Sequence, residues 1–346
     1  MSGTSSRRAI TRRIRSAASL LVLLVAAACA SSGSEDSGEV TEPEYVAGET
    51  YFGTNDYIEY VAGDLPVVIS APHGGYVAPE DIPDRTYGTM VQDLKTQELA
   101  RTMREELQIR TGGTPHLVIC HLRRRKLDAN RDITVGAQGD PQAMTAWNEW
   151  HGFINVAKDR VEEDFGQGLY IDLHGHGHEI QRLELGYLLS DADLALSDEE
   201  LNDPAYIDKS SMRTMVEVSD STFVSIIRGP ASFGTLIQDL GFPAVPGSQQ
   251  PSPGPFDYFS GGYNTAVHGS RNANSYVNGV QIECNYEGVR DSAANREAFA
   301  EATAEALELF FAAHFEVPLA PAVAAAGGRG MGISSLAGPV PGPGGP

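Results

Sequence analysis

Cysteine is scarce in this chain of 346 residues, which contains three. Cys29 lies in an N-terminal segment, whereas Cys120 and Cys284 each lie in a short apolar run typical of a buried strand. Neither of these two has a setting that would activate a thiolate, which argues against a catalytic cysteine. A pair of buried thiols is the simplest interpretation, and a disulfide between them stays open because spacing along the chain does not fix distance.

Basic residues are also few, with 25 lysines and arginines against 46 aspartates and glutamates. The formal net charge is −21, and it becomes −26 without residues 1–28, which contain five arginines and no acid. A surface this negative repels phosphate backbones and anionic lipid headgroups. The charge therefore argues against nucleic acid and anionic membrane as partners.

Several catalytic signatures are missing from the sequence. It has no Gly-x-Ser-x-Gly elbow, no Gly-x-Gly-x-x-Gly after a strand-like run and no Walker loop. These absences argue against a serine hydrolase and against the common nucleotide-binding folds. No apolar run after residue 28 is long enough to span a membrane.

The N-terminal segment is typical of an export signal. Five arginines precede the apolar residues 17–28, a stretch too short for a stop-transfer helix. It ends in Ala26-Ala27-Ala28-Cys29, which resembles a bacterial lipoprotein cleavage box, with Ala26 where leucine is usual. We predict that residues 1–28 are removed and that Cys29 carries a lipid anchor to the cell envelope, the only membrane contact. Ordinary secretion to the periplasm or beyond is the alternative.

Composition divides the remaining chain into three parts. Residues 29–48 are polar and are predicted to form a disordered tether, because they contain too little apolar surface to bury. Residues 317–346 are rich in alanine, glycine and proline and are predicted to be a disordered tail. Residues 49–316 have the length of one α/β domain.

Strand-like and helical patterns alternate within residues 49–316. We predict strands at 65–71, 116–120, 168–174, 223–227 and 279–284, and helices at 90–110, 141–165 and 292–315. This alternation favours an α/β fold, a three-layer α/β/α sandwich with a mainly parallel mixed sheet. Residues 243–278 have little periodicity and are predicted to form a long loop over the carboxyl edge of the sheet.

Residues 170–178 are an apolar run that ends in three histidines spaced by glycines, His174, His176 and His178. Imidazole is the commonest transition-metal ligand, so this stretch predicts a metal site, although histidines in a polar turn can simply face water. Three other apolar runs end in reactive side chains, near His73, Asp128 and Glu283. The carboxyl ends of parallel strands lie side by side, so we expect these groups to meet.

Four motifs resemble those of the N-formylglutamate amidohydrolase family: Pro72-His73-Gly74-Gly75, Leu127-Asp128-Ala129-Asn130-Arg131, Asp172-Leu173-His174 and Ile282-Glu283. That family shares its α/β/α fold with the zinc carboxypeptidases. The resemblance implies one zinc ion per chain and a zinc-activated water that attacks an amide carbonyl with the assistance of a carboxylate base.

The resemblance also implies the metal ligands. His73 and His174 are predicted to bind zinc, and a catalytic site requires a third protein ligand. Carboxypeptidase relatives have a glutamate three residues after the first histidine, where this chain has Tyr76. We predict Asp93 as the replacement; its alternative role is that of an acid stabilised at a helix terminus. Two further acids lie within reach in the sequence, Glu80 and Asp81.

Glu283 is the predicted general base, because a carboxylate inside an apolar strand needs a partner or a role. A glutamate that faces water from the strand edge is the alternative. Arg131 and Asn130 are predicted to bind a substrate carboxylate, which the planar guanidinium matches. Arg85 and His176 are further predicted substrate contacts.

These assignments predict a zinc-dependent amidohydrolase acting on a small N-acyl or N-formyl amino acid, or a short peptide, that bears a carboxylate. The enzymatic alternative is an exported carboxypeptidase or a γ-glutamyl or cell-wall amide hydrolase on the same fold. The other alternative is a lipoprotein that binds a ligand without catalysis.

The export signal gives the first testable prediction. Mass spectrometry of the protein from a bacterial host should find an acylated cysteine at the mature N-terminus, and Cys29→Ser should abolish it because the thiol is the site of attachment. Cys120→Ser, the control, should keep the lipid. A wild-type N-terminus without lipid would support ordinary secretion.

Overall fold

An eight-stranded mixed sheet runs through the computed structural model, which describes residues 45–271 and 274–322. The strands are β1 (Thr50–Phe52), β2 (Ile58–Val61), β3 (Val67–Ala71), β4 (His116–Cys120), β5 (Gly168–Gly175), β6 (Leu183–Gly186), β7 (Ala244–Val245) and β8 (Val277–Cys284). The helices are α1 (Thr96–Thr111), α2 (Ile133–Gly136), α3 (Pro141–Phe165), α4 (Asp191–Leu194), α5 (Asp198–Leu201), α6 (Pro204–Lys209), α7 (Met215–Val218), α8 (Phe223–Arg228), α9 (Phe233–Asp239), α10 (Tyr263–His268) and α11 (Ala293–His314).

The predicted signal segment, Cys29, most of the tether and most of the tail lie outside the described residues. Within the described part, packing continues past the predicted limits of 49 and 316. The ring of Tyr45 packs edge-on against Tyr60, with centroids 5.3 Å apart, and Leu319 is buried in the core. No helix in residues 45–271 or 274–322 is long and apolar enough to cross a membrane.

The strands are ordered β1-β2-β4-β3-β5-β8-β6-β7 across the sheet. The four central strands β4, β3, β5 and β8 are parallel, and antiparallel pairing occurs toward both edges. The mainly parallel mixed sheet predicted from the sequence is confirmed. Because the carboxyl ends of the central strands share one edge, the side chains that follow them are brought together.

Helices cover both faces of the sheet. On one face α1, α9 and α11 pack in a core that contains Leu99, Leu307 and Phe310. On the other face α3 packs through Trp150 and Ile154. With both faces covered, the central strands are buried along almost their whole length, as parallel strands usually are. These layers confirm the three-layer arrangement.

The predicted long helices agree with the structure where capping residues mark their ends. Helix α3 begins at Pro141, and the Asp140 carboxylate accepts hydrogen bonds from the next free backbone N–H groups. It ends at Gly166, whose φ of 74° suits only glycine well. Helix α1, in contrast, begins at Thr96 rather than at the predicted residue 90. Residues 90–95 are irregular, so the predicted metal ligand Asp93 lies in a loop before the helix and not on it.

Some local predictions were wrong or incomplete. Residues 223–227, predicted as a strand, belong to helix α8, which begins where the Thr222 hydroxyl accepts a hydrogen bond from the Ser225 N–H. A short apolar run fits a buried helix as well as a strand, and only the surrounding packing decides. Strands β1, β2 and β6 were not predicted. The loop 243–278 contains strand β7 and helix α10.

The two described cysteines are free thiols. Cys120 ends β4 and Cys284 ends β8, and two strands lie between these in the sheet. Three strand spacings amount to about 14 Å, twice the largest Cα separation that a disulfide spans. The open question of a disulfide is therefore answered by topology.

An ion pair between buried Glu59 and Arg101, whose side chain is 37% exposed, ties the sheet to α1 and gives a stability prediction. The Glu59 carboxylate on β2 accepts two hydrogen bonds from the Arg101 guanidinium, at 2.7 and 2.6 Å, and one from His121. Burial raises the pKa of Glu59, but the hydrogen bonds from Arg101 and His121 outweigh it and lower the pKa from 4.5 to about 2.

Because this pKa is lowered on folding, the carboxylate stabilises the fold above pH 4.5 and ceases to do so as the pH falls toward 2. Glu59→Gln should lower the free energy of unfolding at pH 7 by about 2 kcal/mol, with a difference from wild type that shrinks below pH 4.5. Urea unfolding at several pH values measures this. Glu105→Gln, at an exposed position on the same helix, is the control; an equal loss at every pH would contradict the assignment.

Candidate metal centre and its cavity

Three predicted metal ligands converge at the carboxyl edge of the sheet. His73 follows β3, His174 lies near the end of β5, and Asp93 lies in the irregular segment before α1, where its N–H donates to the carbonyl of His73. The Nδ1 atoms of the two histidines are 3.2 Å apart. Asp93 Oδ2 lies 3.3 Å from Nδ1 of His73 and 3.1 Å from Nδ1 of His174. The three atoms form a nearly equilateral triangle.

This triangle has the dimensions of a zinc site. Tetrahedral zinc with bonds of about 2.0–2.2 Å holds its ligand atoms about 3.3–3.6 Å apart, slightly more than the observed 3.1–3.3 Å. Two imidazole nitrogens and a carboxylate oxygen are also donors that zinc accepts. All three side chains are buried, so water does not compete freely for them.

Two buried carboxylates fix the orientation of the histidine rings. Nε2 of His73 lies 2.7 Å from Asp128, and Nε2 of His174 lies 2.8 Å from Asp172. Burial raises the pKa of both carboxyl groups, but the histidine charges and hydrogen bonds outweigh it and hold each pKa below its usual range. Ionised carboxylates only accept hydrogen bonds, so each Nε2 carries a proton and Nδ1 is the atom of each ring that can offer a lone pair to a metal ion.

The two Nδ1 atoms and the Asp93 carboxylate therefore converge on one point. Burial lowers the pKa of His174, but Asp172 and Asp93 outweigh it and raise the pKa well above its ordinary value. The same negative potential that attracts a proton attracts a divalent cation. The residues present therefore fit a zinc ion with three protein ligands.

Glu283 lies beside this triangle on β8, in register with His174 of β5. Its Oε1 accepts a hydrogen bond of 2.9 Å from Gln281. Burial raises the pKa of Glu283 to about 8 against the opposing charge of His174, and Asp93 and Glu184 add to the rise. A divalent cation in the triangle would lower this pKa by the same electrostatics, since it is the largest local charge.

A cavity of about 400 Å³ opens over the triangle. Its lining includes Asp93, His174, Glu283, Arg131 and Phe259. This volume suits a small molecule. A larger surface cavity of about 800 Å³ lies elsewhere and contains none of the candidate metal ligands, so the smaller cavity is the one that matters for chemistry.

Arg131 and Asn130 take different places in this cavity. The Arg131 guanidinium donates to the carbonyl of Asn130 and makes no ion pair with a carboxylate within residues 45–271 and 274–322. Its other donors are thus open to a ligand. Asn130 is buried; its Oδ1 accepts from the Asn264 N–H at 2.7 Å, and its Nδ2 lies 3.2 Å from Nε2 of His174. Because both of these nitrogens carry hydrogen, the last contact is not a hydrogen bond, and Asn130 lines the cavity beside the His174 ring.

The structure does not support two predicted substrate contacts. The Arg85 guanidinium is buried and donates to backbone carbonyl groups, including those of Thr89 and Arg124, so it shapes the loop rather than the cavity. The His176 ring lines the cavity, but its Nε2 donates to the carbonyl of Arg182 and its Nδ1 accepts from the His178 N–H. Both ring nitrogens are occupied by backbone.

The other acids considered as ligands lie away from the triangle. Glu80 is exposed, and Asp81 accepts a hydrogen bond from Gln142 on α3. Tyr76 lies three residues after His73, and its hydroxyl donates to Glu98. Asp93 supplies the third donor because residues 90–95 do not continue α1.

Sequence reasoning missed the roles of Asp128 and Asp172 as histidine partners, although both stood in the motifs. It also missed the pairing of His178 with Glu184, whose strand was not predicted. The spacing of Asp172 and His174, two residues apart on a strand, places both on one face and was the available signal.

No family model matches the sequence, and no curated protein matches it. Among solved structures, the chain is similar to N-formylglutamate amidohydrolase from Ralstonia eutropha JMP134, with 11% identity, a TM-score of 0.46, and coverage of 74% of this chain and 96% of that one. The gene product Atu2144 from Agrobacterium tumefaciens has 14% identity, a TM-score of 0.41 and coverage of 74% and 98%.

A metallo-carboxypeptidase from Pseudomonas aeruginosa has 11% identity and a TM-score of 0.40; the match covers 78% of this chain and 64% of the carboxypeptidase. The structure from Ralstonia eutropha bears the name of the family whose motifs the sequence resembles.

The carboxylate–histidine pairs give a prediction about metal affinity. Asp128→Asn and Asp172→Asn should each weaken zinc binding by about 10–100-fold, because an amide no longer fixes the ring tautomer that presents Nδ1. His73→Ala should remove binding. Competition with a chromophoric zinc chelator measures the affinities, and Asp193→Asn, a buried aspartate outside the site, is the control. Unchanged affinity in both aspartate variants would overturn the assigned tautomers.

Proposed function

We propose that this chain is a zinc-dependent hydrolase that cleaves an amide bond of a small carboxylate-bearing substrate, an N-acyl or N-formyl amino acid or a short peptide. We further propose that it acts outside the cytoplasm, anchored through Cys29. The observation that supports the chemistry best is the triangle of Nδ1, Nδ1 and carboxylate atoms, held by two buried aspartates above a buried glutamate.

A zinc ion bound by His73, Asp93 and His174 would supply Lewis acidity, which activates water and polarises a carbonyl group. Glu283 lines the same cavity and accepts the proton of the attacking water. Its burial, which raises the pKa to about 8 without a cation, makes the carboxylate a good proton acceptor once it is ionised.

Arg131 binds the substrate carboxylate in this proposal. It lines the cavity and makes no ion pair among the described residues, whereas Arg124, which also lines it, donates to Asp128 at 3.0 Å. A guanidinium with open donors matches a planar carboxylate through two parallel hydrogen bonds. A substrate held there extends from the arginine toward the triangle.

The catalytic role of Glu283 predicts a loss of rate without a loss of metal. N-formylglutamate, N-acetylglutamate, a dipeptide and a γ-glutamyl amide are tested as substrates of wild type. On the substrate that is cleaved, Glu283→Gln should lower kcat by about 10²–10⁴-fold, because the glutamine side chain cannot accept the proton. Steady-state kinetics and zinc content are the measurements. Glu179→Gln, at an exposed position near the cavity, is the control. Zinc bound by wild type without cleavage of any of these amides would support the binding lipoprotein instead.

Arg131→Met should raise KM by roughly 10-fold or more for a carboxylate substrate, because a charge-assisted pair is lost, with a smaller effect on kcat. The matched substrate is the same molecule with its carboxylate converted to a carboxamide. Wild type should discriminate between the two, and the variant should not. Retained discrimination in Arg131→Met would place the anion contact on another residue.

A further inference from the structure

A histidine–carboxylate pair lies on the side of the cavity formed by β6. His178 Nδ1 lies 2.9 Å from Oε1 of Glu184, a buried residue of β6. The other oxygen of Glu184 accepts the backbone N–H of Phe259 at 2.8 Å, and the Phe259 ring stacks on the His178 ring with centroids 4.6 Å apart. The hydrogen bond to Glu184 and the stacking on Phe259 together therefore fix the orientation of the His178 ring.

This arrangement leaves one ring nitrogen for a ligand. The Glu184 carboxylate accepts the Nδ1–H, and Nε2 of His178 makes no hydrogen bond within residues 45–271 and 274–322. The side chain is 21% exposed and lines the same cavity as His174 and Glu283. An imidazole fixed by a carboxylate and open at Nε2 is arranged for proton transfer with whatever occupies the cavity.

A second metal ion is the competing use of these residues. Donor atoms of His176, His178 and Glu184 lie within 4.8 Å of one another. However, both nitrogens of His176 are engaged by backbone groups at 2.8 and 3.1 Å, which leaves two donors where a protein zinc site uses at least three. The contacts thus favour the proton-transfer role.

We propose that His178 is the acid that protonates the leaving nitrogen, and that Glu184 is its positioning residue; this rests on the proposed amide hydrolysis. Water adds through its oxygen to the carbonyl carbon while the Glu283 carboxylate takes one of its protons. The C–N bond then breaks, its electron pair stays on nitrogen, and the Nε2 proton of the His178 imidazolium transfers to that nitrogen. Glu283 returns its proton to the neutral imidazole, so that water and amide yield acid and amine.

The test compares leaving groups. N-acetylglutamate and 2-acetoxyglutarate carry the same acyl group and carboxylates, but the ester oxygen leaves more readily than an amine and needs less protonation. His178→Gln and His178→Ala should lower kcat on the amide by about 10²–10⁴-fold and on the ester by less than about 10-fold, with zinc content and Tm unchanged. Equal losses on both substrates would indicate a structural role and overturn the proposal.

Glu184 is tested through its partner. Glu184→Gln should lower kcat on the amide, and in the double variant with His178→Ala the two effects should not add, because the carboxylate acts through the imidazole. Additive effects would overturn the positioning role. His121→Gln is the matched control, since His121 also contacts a buried glutamate at 2.9 Å and is 21% exposed, but it does not line the cavity; it should keep full activity.

A third measurement needs neither zinc nor turnover. Metal-free protein is labelled with 15N-histidine and titrated with glutamate, which is the amine product, while NMR spectra are recorded. Glutamate should shift the Nε2 signal of His178, which is identified by its absence in His178→Gln. The signal of buried His116 should stay in place. No shift at millimolar glutamate would overturn the placement of Nε2 in the cavity.

A second zinc equivalent that is lost in His178→Ala would establish the metal role instead. If wild type cleaves neither the ester nor any of the four amides tested for the proposed function, that function fails, while the NMR result still decides where Nε2 points.

Discussion

The site depends on two buried carboxylates that each hold one imidazole. Asp128 and Asp172 have no exposed surface, so each must be compensated by partners. Asp128 accepts hydrogen bonds from His73 and Arg124, and Asp172 accepts from His174 and Ser70. These bonds orient the rings so that their remaining nitrogens face each other.

The fold supplies the positions that this orientation requires. Parallel pairing of β3, β5 and β8 brings His73, His174 and Glu283 to one edge of the sheet. The irregular segment before α1 brings Asp93 to the same place, where the Gly175 N–H also contacts its Oδ2 at 3.3 Å. A helix beginning at residue 90 would have carried the Asp93 side chain elsewhere.

The charges around the cavity are arranged asymmetrically. Arg124 lies 3.6 Å from Asp93 and 3.0 Å from Asp128, so its charge is largely balanced by the centre itself. Arg131 has no such partner among the described residues and is the cation that a ligand meets. On the opposite side, Glu184 and Glu283 face each other across neighbouring antiparallel strands. Burial is the main cause of the raised pKa of Glu283, and the charge of Glu184 adds to it.

The sequence determined the parts of the protein that depend on neighbours along the chain. Alternating strand-like and helical patterns predicted the layered α/β fold, and the predicted helix 141–165 has the same bounds as α3. Apolar runs ending in His73, His174 and Glu283 predicted residues that meet, because parallel strand ends share an edge. The run 223–227 misled because apolar residues alone do not distinguish a short helix from a strand.

Only the tertiary structure decided which side chains touch. The side chains of Arg85 and His176 form hydrogen bonds with backbone carbonyl and N–H groups, and no pattern in the sequence shows where those groups lie. The pairing of His178 with Glu184 depends on the antiparallel pairing of β6 with β8. Strand β6 has four residues, too few for its sequence pattern to predict this neighbour. Sequence fixes what each residue can donate or accept, whereas long-range packing fixes which partner it finds.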